Sequence, residues 1–363
     1  MKKLSLQNRF IARVLLTVWL ITAIVFCCAS CLDFSALRGD KGELTLLAER
    51  DKPIKVLQFA DLHFGEEGTI YHNSDVARSL DFIDYAITAE KPDFIVLLGD
   101  NMMSQGVEGA RFIVETFDKY KIPYTFVFGN HDAELYTIGY SKAEVSNYLE
   151  SCGSQYLLYK SGYVQTDKEN RYGNFSISIR DEKTKELLGA FVILDTGVYD
   201  YSEEQYQSIN EGQIQWYTQE IERLNGIYGK QTSNKFEVIP TITYGHIQLP
   251  EFADAYQSAR NNDGAEFVYE QELPEWMING IGGDAGKVNY GFFDVMKNMK
   301  SSRAYFCGHM HGLTYHVKKD GIVLGFCPQA CVTGNASKTI STFSYTLDEN
   351  FEIGLKLILE PRE

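Results

Sequence analysis

Five short stretches of this chain set oxygen- and imidazole-bearing side chains just past an apolar run or beside a glycine. They are Asp61 with His63, Asp100, Asn130 with His131 and Asp132, His246, and His309 with His311. Carboxylate, amide oxygen and imidazole are the donors that hard and borderline divalent cations select. The stretch Leu98-Gly99-Asp100-Asn101 is the centre of the set. It closes Phe94-Ile95-Val96-Leu97-Leu98, an unbroken apolar run between Pro92 and Gly99, which predicts a strand buried on both faces. An acid at the carboxyl end of such a strand stands where open α/β sheets collect their ligands. Five of the seven histidines fall at these loci, and His72 and His316 lie elsewhere.

Each residue taken singly has a plainer reading. Asp61 and Asp100 would serve as helix N-caps, His246 as a core histidine, and His309 and His311 as alternate residues of a half-exposed strand. Together, each at a strand end, they favour a pair of cations with Asp100 as the shared carboxylate, and hence metal-dependent hydrolysis of a phosphoester.

The elements that must position these residues are visible as periodicities. Lys55–Ala60 reads as a strand ending at Asp61 and His63, and Val76, Leu80, Ile83 and Ile87 stripe a helix after it. The strand 94–98 follows, then a second striped helix through Ala110, Ile113, Val114 and Phe117, then a strand over Tyr124–Phe128 that delivers Asn130, His131 and Asp132. Strand, helix, strand, helix, strand predicts an α/β fold with parallel pairing. Farther on, Phe175, Ile177 and Ile179 alternate and pair with Leu188–Leu194 in a hairpin, and Ile214, Tyr217, Ile221 and Leu224 stripe another helix. Short strands at Thr241–Tyr244 and Arg303–Cys307 deliver His246 and the pair His309 and His311, and Gly312–Phe326 and Thr339–Leu359 supply further strands. Polar, Gly-rich, poorly periodic residues from 251 to 292 predict an insertion beside the site. Asp195, Trp216 and Glu251 have only loop or helix context and read as structural.

The composition is that of a globular chain: 363 residues, 44% hydrophobic and 23% charged, with a formal charge of −15. Residues 1–31 carry Lys2, Lys3, Arg9 and Arg13 and no acid, so the rest is four units more negative, near −19. Such a surface repels a nucleic acid backbone, so no nucleic acid partner is expected. Small phosphorylated substrates remain, because bound cations invert the local field. The basic start and the uncharged stretch Val14–Leu32 predict a signal peptide or an N-terminal membrane anchor over 1–31, and an extracytoplasmic protein, secreted or tethered. Residues 32–51 read as a linker and 52–363 as one catalytic domain. Four cysteines lie in the body, Cys152, Cys307, Cys327 and Cys331, enough for two disulfides or for one plus free thiols.

The motifs Asp61-Leu62-His63, Gly99-Asp100, Gly129-Asn130-His131-Asp132, His246 in Tyr-Gly-His-Ile-Gln-Leu-Pro-Glu, and Gly308-His309-Met310-His311 follow one another in this order. In this the chain resembles the calcineurin-like metallophosphoesterase family, and most of all its purple acid phosphatase-like branch. The resemblance implies a four-layer α/β/β/α sandwich of two mixed sheets flanked by helices. It implies that Asp61, His63 and His311 hold one ion, that Asn130, His246 and His309 hold the other, and that Asp100 bridges them. A hydroxide between the ions would attack a phosphoester, most readily a monoester, while His131, oriented by Asp132, stabilises charge or protonates the leaving group. Alternatives within this resemblance are a phosphodiesterase acting on a lipid headgroup or nucleotide, and a non-catalytic interaction module of the same fold. Two features depart from the purple enzymes: Met103 stands where they have a tyrosine, and His63 has no counterpart in them. A tyrosinate-bound ferric ion is therefore not expected, and the two ions, divalent or mixed-valence, are left open among Mn, Fe, Zn, Co and Ni.

Overall fold

The structure, a computed structural model, describes residues 42–65, 75–103, 105–132, 141–166, 170–332 and 340–361. The expected export or anchor segment over 1–31 and His72 lie outside them. Among the described residues no helix is long and apolar enough to cross a membrane.

The first half runs β1 (Leu44–Ala48), β2 (Ile54–Phe59), α1 (Val76–Glu90), β3 (Phe94–Leu98), α2 (Gly106–Asp118), β4 (Tyr124–Val127), α3 (Lys142–Ser151) and β5 (Tyr163–Gln165). The hairpin β6 (Arg171–Asp181) and β7 (Leu187–Ile193) follows, then a two-stranded ribbon of β8 (Tyr199–Asp200) and β9 (Gln205–Tyr206), then α4 (Glu211–Tyr228) and β10 (Thr241–Tyr244). The chain continues through α5 (Glu251–Arg260), β11 (Ala265–Tyr269), α6 (Glu275–Gly283), α7 (Phe292–Met299) and β12 (Ser302–Cys307). It closes with β13 (His316–Lys319), β14 (Ile322–Phe326), β15 (Ser341–Leu347) and β16 (Ile353–Leu359).

Two mixed sheets result. The smaller has the order β16-β15-β2-β3-β4, in which β2, β3 and β4 are mutually parallel and β15 and β16 antiparallel. The larger has the order β1-β6-β7-β10-β12-β14-β13-β11, with β5 added on β6. Its centre, β7, β10, β12 and β14, is parallel. In the small sheet the 94–98 run is apolar without alternation because it is covered on two faces. All four residues of β10 are likewise buried, although two of them are threonines.

The sheets meet through aromatic rings. Phe94 of β3 stacks on Phe191 of β7 at 5.1 Å and 8°, and Phe191 in turn meets Tyr244 of β10 at 5.7 Å. On the outer face of the small sheet Phe59 packs against Phe82 of α1 and Phe117 of α2. On the outer face of the large sheet Tyr305 receives Phe252 of α5 and Phe292 of α7, while Tyr217 of α4 also meets Phe292. Helix, sheet, sheet, helix is the four-layer arrangement anticipated.

Two stretches differ from expectation. The linker read over 32–51 contains β1, an edge strand parallel to β6 with Leu44 and Leu46 buried. Its flanking charges mask a period-two pattern only five residues long, too short to announce itself. The 251–292 insertion is structured as well: α5, α6 and β11 form within it, and β11 extends the large sheet through β13. No disulfide joins the four body cysteines, all of which are free thiols.

Glu90, at the end of α1, ties that helix to β15 and β16 through Ser344 Oγ (3.1 Å) and the Lys356 ammonium, with Lys55 Nζ 3.7 Å away. Burial pushes its carboxyl up, but Lys356, Ser344 and Lys55 outweigh that and the net shift is downward. A depressed carboxylate stabilises the fold above its unfolded pKa, and the contribution disappears as pH falls through the native value. Glu90→Gln is expected to flatten the acid limb of a stability–pH profile measured by urea denaturation and to lower the neutral plateau. Phe191→Ala, which empties the ring contact between the sheets, is expected to cost about 3–5 kcal/mol in the same measurement.

Candidate metal centre

The strand ends of both sheets converge at one edge. Asp61 and His63 follow β2, Asp100 follows β3, and Asn130, His131 and Asp132 follow β4, all from the small sheet. His246 follows β10, and His309 and His311 follow β12, from the large one. Backbone hydrogen bonds sew these loops together. Asp61 N donates to Gly99 O (3.0 Å), His63 N to Asp100 O (2.8 Å) and Gly308 N to His246 O (3.0 Å). The seam between the sheets is made by the carboxylate itself, because Asp61 Oδ2 accepts from His309 N at 3.1 Å.

Four donors sit on backbone that L-residues rarely adopt: φ is 54° at Asp61, 47° at His63, 48° at Asp100 and 69° at His309. Left-handed conformations cost non-glycine residues about 1–2 kcal/mol each. The sharp reversals aim side chains inward at the ends of strands. Gly99 (φ 87°) shares this geometry and also has no room for a side chain, since a Cβ there would lie 2.4 Å from His246 Nδ1. At Gly129 a Cβ would lie 2.1 Å from both N and Oδ1 of Asp100. These glycines are set by the close approach of the donors, a stricter reason than the strand-end turn legible in the sequence.

The side chains form three overlapping triads in which every donor atom lies within 4.8 Å of the others: Asp61, His63 and His311; His63, Asp100 and His131; Asp100, His246 and His309. Asp61 Oδ1 is 3.2 Å from His311 Nε2, 3.8 Å from His63 Nε2 and 3.9 Å from His246 Nε2. Asp100 Oδ2 is 3.0 Å from His246 Nε2 and 3.9 Å from the Nε2 atoms of His63 and His131. Asn130 is fully buried between Gly129 and His131, and His131 N donates to Asp100 Oδ1 at 2.8 Å. The first triad has the three residues of one donor group inferred from the sequence, and the third joins His246 and His309 of the other to Asp100, without Asn130. The second was not anticipated: it sets His131, read as catalytic, within the same range of Asp100 and His63 as the other donors.

The electrostatics call for positive charge. Asp61 and Asp100 are each 1% exposed, and burial alone would raise both. His311 and His63 around the first, and His246 and His131 around the second, reverse this and hold both carboxyls below the ordinary range. In return Asp100 overcomes the burial of His246 and pushes it up to about 10, while Asp61 raises His311. Burial, with repulsion from His246, pushes His309 down to about 3. Even so, Asp61 Oδ1 and His246 Nε2 are oriented so that neither makes a hydrogen bond of good geometry. Buried donors aimed at a common space and left without hydrogen bonds fit a cation better than they fit one another.

Asp132 has work of its own. Its Oδ2 accepts from Gly129 N (2.7 Å) and Asn101 Nδ2 (3.2 Å), and its Oδ1 accepts from Met102 N (2.9 Å). Burial and the nearby Asp100 charge push it up to about 7 against the pull of these amides. It braces the β3 and β4 loops, and so acts on the place of His131 through the backbone that carries it. Asn101, to which the sequence assigns no role beyond its place after Asp100, completes the brace by donating to Val127 O at 3.0 Å.

Met103 packs its thioether against His63, with Sδ 2.8 Å from Nδ1, leaving Nε2 to face Asp61 and His311. Thr196 Oγ1 accepts from Ile247 N at 3.0 Å beside His246, and Tyr206 lies edge-to-face on His309 at 4.5 Å. Neither has a signal in the sequence, since both lie outside the donor motifs. Asp195 is structural as read: buried, it is paired to the buried Lys142 at 2.9 and 3.0 Å. His316 belongs to the core, among Phe306 and Phe343.

A family model described as calcineurin-like phosphoesterase matches residues 54–313, well over half of the chain. The chain belongs to that family. The calcineurin-like phosphoesterases bind dinuclear metal centres, and the Asp and His clusters of this chain lie inside the matched span. Its relatives include the Arabidopsis thaliana protein named probable inactive purple acid phosphatase 29, 27% identical over 79% of this chain and 74% of that one. Phosphatase DCR2 of Saccharomyces cerevisiae is 25% identical over 59% of this chain and 38% of its own. Among solved structures, a dimetal phosphatase from Danio rerio aligns with a TM-score of 0.46 at 13% identity, covering 85% of this chain and 99% of that one. A purple acid phosphatase from Lupinus luteus gives 0.41 at 10% identity, over 83% and 51%.

Replacing Asp132 by alanine strands three N–H donors in a buried loop, and unsatisfied buried donors cost about 1–3 kcal/mol each. Asp132→Ala is therefore expected to lower the urea midpoint markedly, and Asp132→Asn, which keeps an acceptor oxygen, to lower it less.

Proposed function

We propose that this protein is a two-metal phosphomonoesterase acting outside the cytoplasm. One observation carries the reading: the overlapping triads, in which two buried carboxylates of the small sheet face shared imidazoles that come from the strand ends of both sheets. In this reading Asp61, His63 and His311 hold one cation, Asn130, His246 and His309 the other, and Asp100 both. Two such ions, when bound, supply Lewis acidity to the phosphoryl oxygens and make water acidic enough to attack at neutral pH.

The remaining work falls to the chain. His131 stands on the open side, its side chain 25% exposed where those of Asp61, Asp100 and His246 are at most 2%. From there its Nε2 can hydrogen-bond a phosphoryl oxygen and hand a proton to the departing alkoxide. Its backbone N–H holds Asp100 Oδ1 meanwhile, so the nearest carboxylate cannot swing toward the incoming anion. Asp132, Asn101 and the Met102 amide fix the loop that carries it. The phosphatase names of the relatives support a monoester over a diester, and the basic, then apolar residues 1–31 support export or tethering.

A second reading, a non-catalytic interaction module, is supported by the words "probable inactive" in the names of three Arabidopsis relatives. Against it stands a full set of donors in this chain. Metal analysis of the purified protein, with rates on an aryl monoester and the matching diester, separates these readings. About two metal ions per chain and faster monoester turnover are expected. His131→Ala is expected to keep its metal and lose about 10²–10⁴ in kcat. Asp100→Asn is expected to lose both metal and activity. Faster diester turnover would make the protein a diesterase, and a metal-loaded but inert wild-type protein would establish the non-catalytic reading.

A further inference from the structure

The ring of His309 is the first of a row that leads out of the donor cluster. His246 meets His309 at 5.4 Å, His309 meets Tyr206 at 4.5 Å, Tyr206 meets Tyr199 at 5.0 Å, and Tyr199 meets Tyr201 at 4.9 Å. Every step is edge-to-face, the arrangement aromatic pairs favour. The row leads from the fully buried His246 through the half-buried His309 to Tyr201, which is 63% exposed, the most open tyrosine among the exposed large hydrophobics of the described residues. All three tyrosines belong to the short ribbon β8–β9 and its turn, where Tyr199 and Tyr206 are direct cross-strand partners.

This ribbon is fixed to the site. Gln207 N donates to Val198 O at 3.0 Å and Val198 N to Gln207 Oε1 at 3.1 Å, closing its base immediately after the Asp195–Gly197 loop. Asp200 Oδ1 accepts from Ser202 N and Oγ (2.9 and 2.6 Å), which shapes the turn. Lys287 Nζ donates to Glu204 O at 3.1 Å, tying the tip to the 251–292 insertion. A two-stranded ribbon this short has no core of its own. Its tyrosines are not needed to bury a sheet, yet they carry ring surface from the donor cluster into solvent. Phosphate bound at the cluster could place its ester substituent on that side, where the ribbon offers ring surface continuous with His309. The turn also carries the carboxylates of Asp200, Glu203 and Glu204, which disfavour a second anionic group there.

We infer that the β8–β9 ribbon is a leaving-group subsite, in which Tyr206, Tyr199 and Tyr201 receive the ring of an uncharged aromatic alcohol esterified to phosphate. This rests on the monoesterase reading and names its substrate class. Ring stacking contributes about 0.5–1.5 kcal/mol beyond area burial, so a subsite of this kind shifts preference about threefold to tenfold.

The test compares the metal-loaded wild-type protein with Tyr201→Leu and Tyr201→Phe, using phenyl phosphate and glycerol 2-phosphate as substrates. Phenylphosphonate and methylphosphonate serve as non-hydrolysable probes, their binding read by calorimetry. The ratio of kcat/KM on the aryl ester to that on the alkyl ester is expected to fall about fivefold in Tyr201→Leu and to be retained in Tyr201→Phe. Phenylphosphonate is expected to bind the wild-type protein more tightly than methylphosphonate, with that margin lost in Tyr201→Leu. An unchanged ratio in Tyr201→Leu, or equal binding of the two phosphonates by the wild-type protein, would overturn the subsite while leaving the hydrolase intact. If neither ester is hydrolysed, the monoesterase reading fails, and the phosphonate comparison still decides whether the ribbon receives a ring.

Discussion

Two carboxylates out of reach of water are the constraint on which this structure turns. An isolated buried carboxylate is heavily penalised and ordinarily recovers its proton. Asp61 and Asp100 do not, because imidazoles from both sheets surround them. The consequence reaches beyond the pocket. His246 must come from the large sheet to meet Asp100 of the small one, and Asp61 must take the His309 amide across the seam. The sandwich is held together at this edge by charge and in its middle by the rings of Phe94, Phe191 and Tyr244.

The same constraint explains why strain gathers here. Left-handed backbone at Asp61, His63, Asp100 and His309 persists only where the surroundings over-determine it. Backbone bonds from Asp61 to Gly99 and from His63 to Asp100 supply that determination, as does the absence of a Cβ at Gly99 and Gly129. Positive charge brought into the pocket would relieve the carboxylates without altering any of these contacts. The pocket is in that sense preorganised, its cost already met by the fold.

Much of this was legible in the sequence for a simple reason. Strands buried on both faces read as plain apolar runs, and their ends are marked by glycine followed by a donor. Phe94–Leu98 before Gly99 and Asp100 is the clearest case, and Thr241–Tyr244 before Gly245 and His246 repeats the glycine-then-donor ending on a run in which threonine alternates. The bracing was not legible. Asp132 looks in sequence like a partner for its neighbour His131, but its oxygens go to residues of the β3 loop thirty positions back and to Gly129. The roles of Asn101, Thr196 and Tyr206 were invisible because each acts through contacts with distant residues that leave no periodicity. β1 escaped notice because an edge strand of five residues presents too little pattern, and the partner it needs, β6, lies far along the chain.

The ion pair of Lys142 with Asp195 has a meaning apart from the pocket. Lys142 opens α3 and is sealed in the interior with its ammonium near the Phe128 ring. The start of α3 is thus fixed to the Asp195–Gly197 loop, at the foot of the β8–β9 ribbon. Removing either partner would leave the other buried charge alone, so the two positions must change together or not at all.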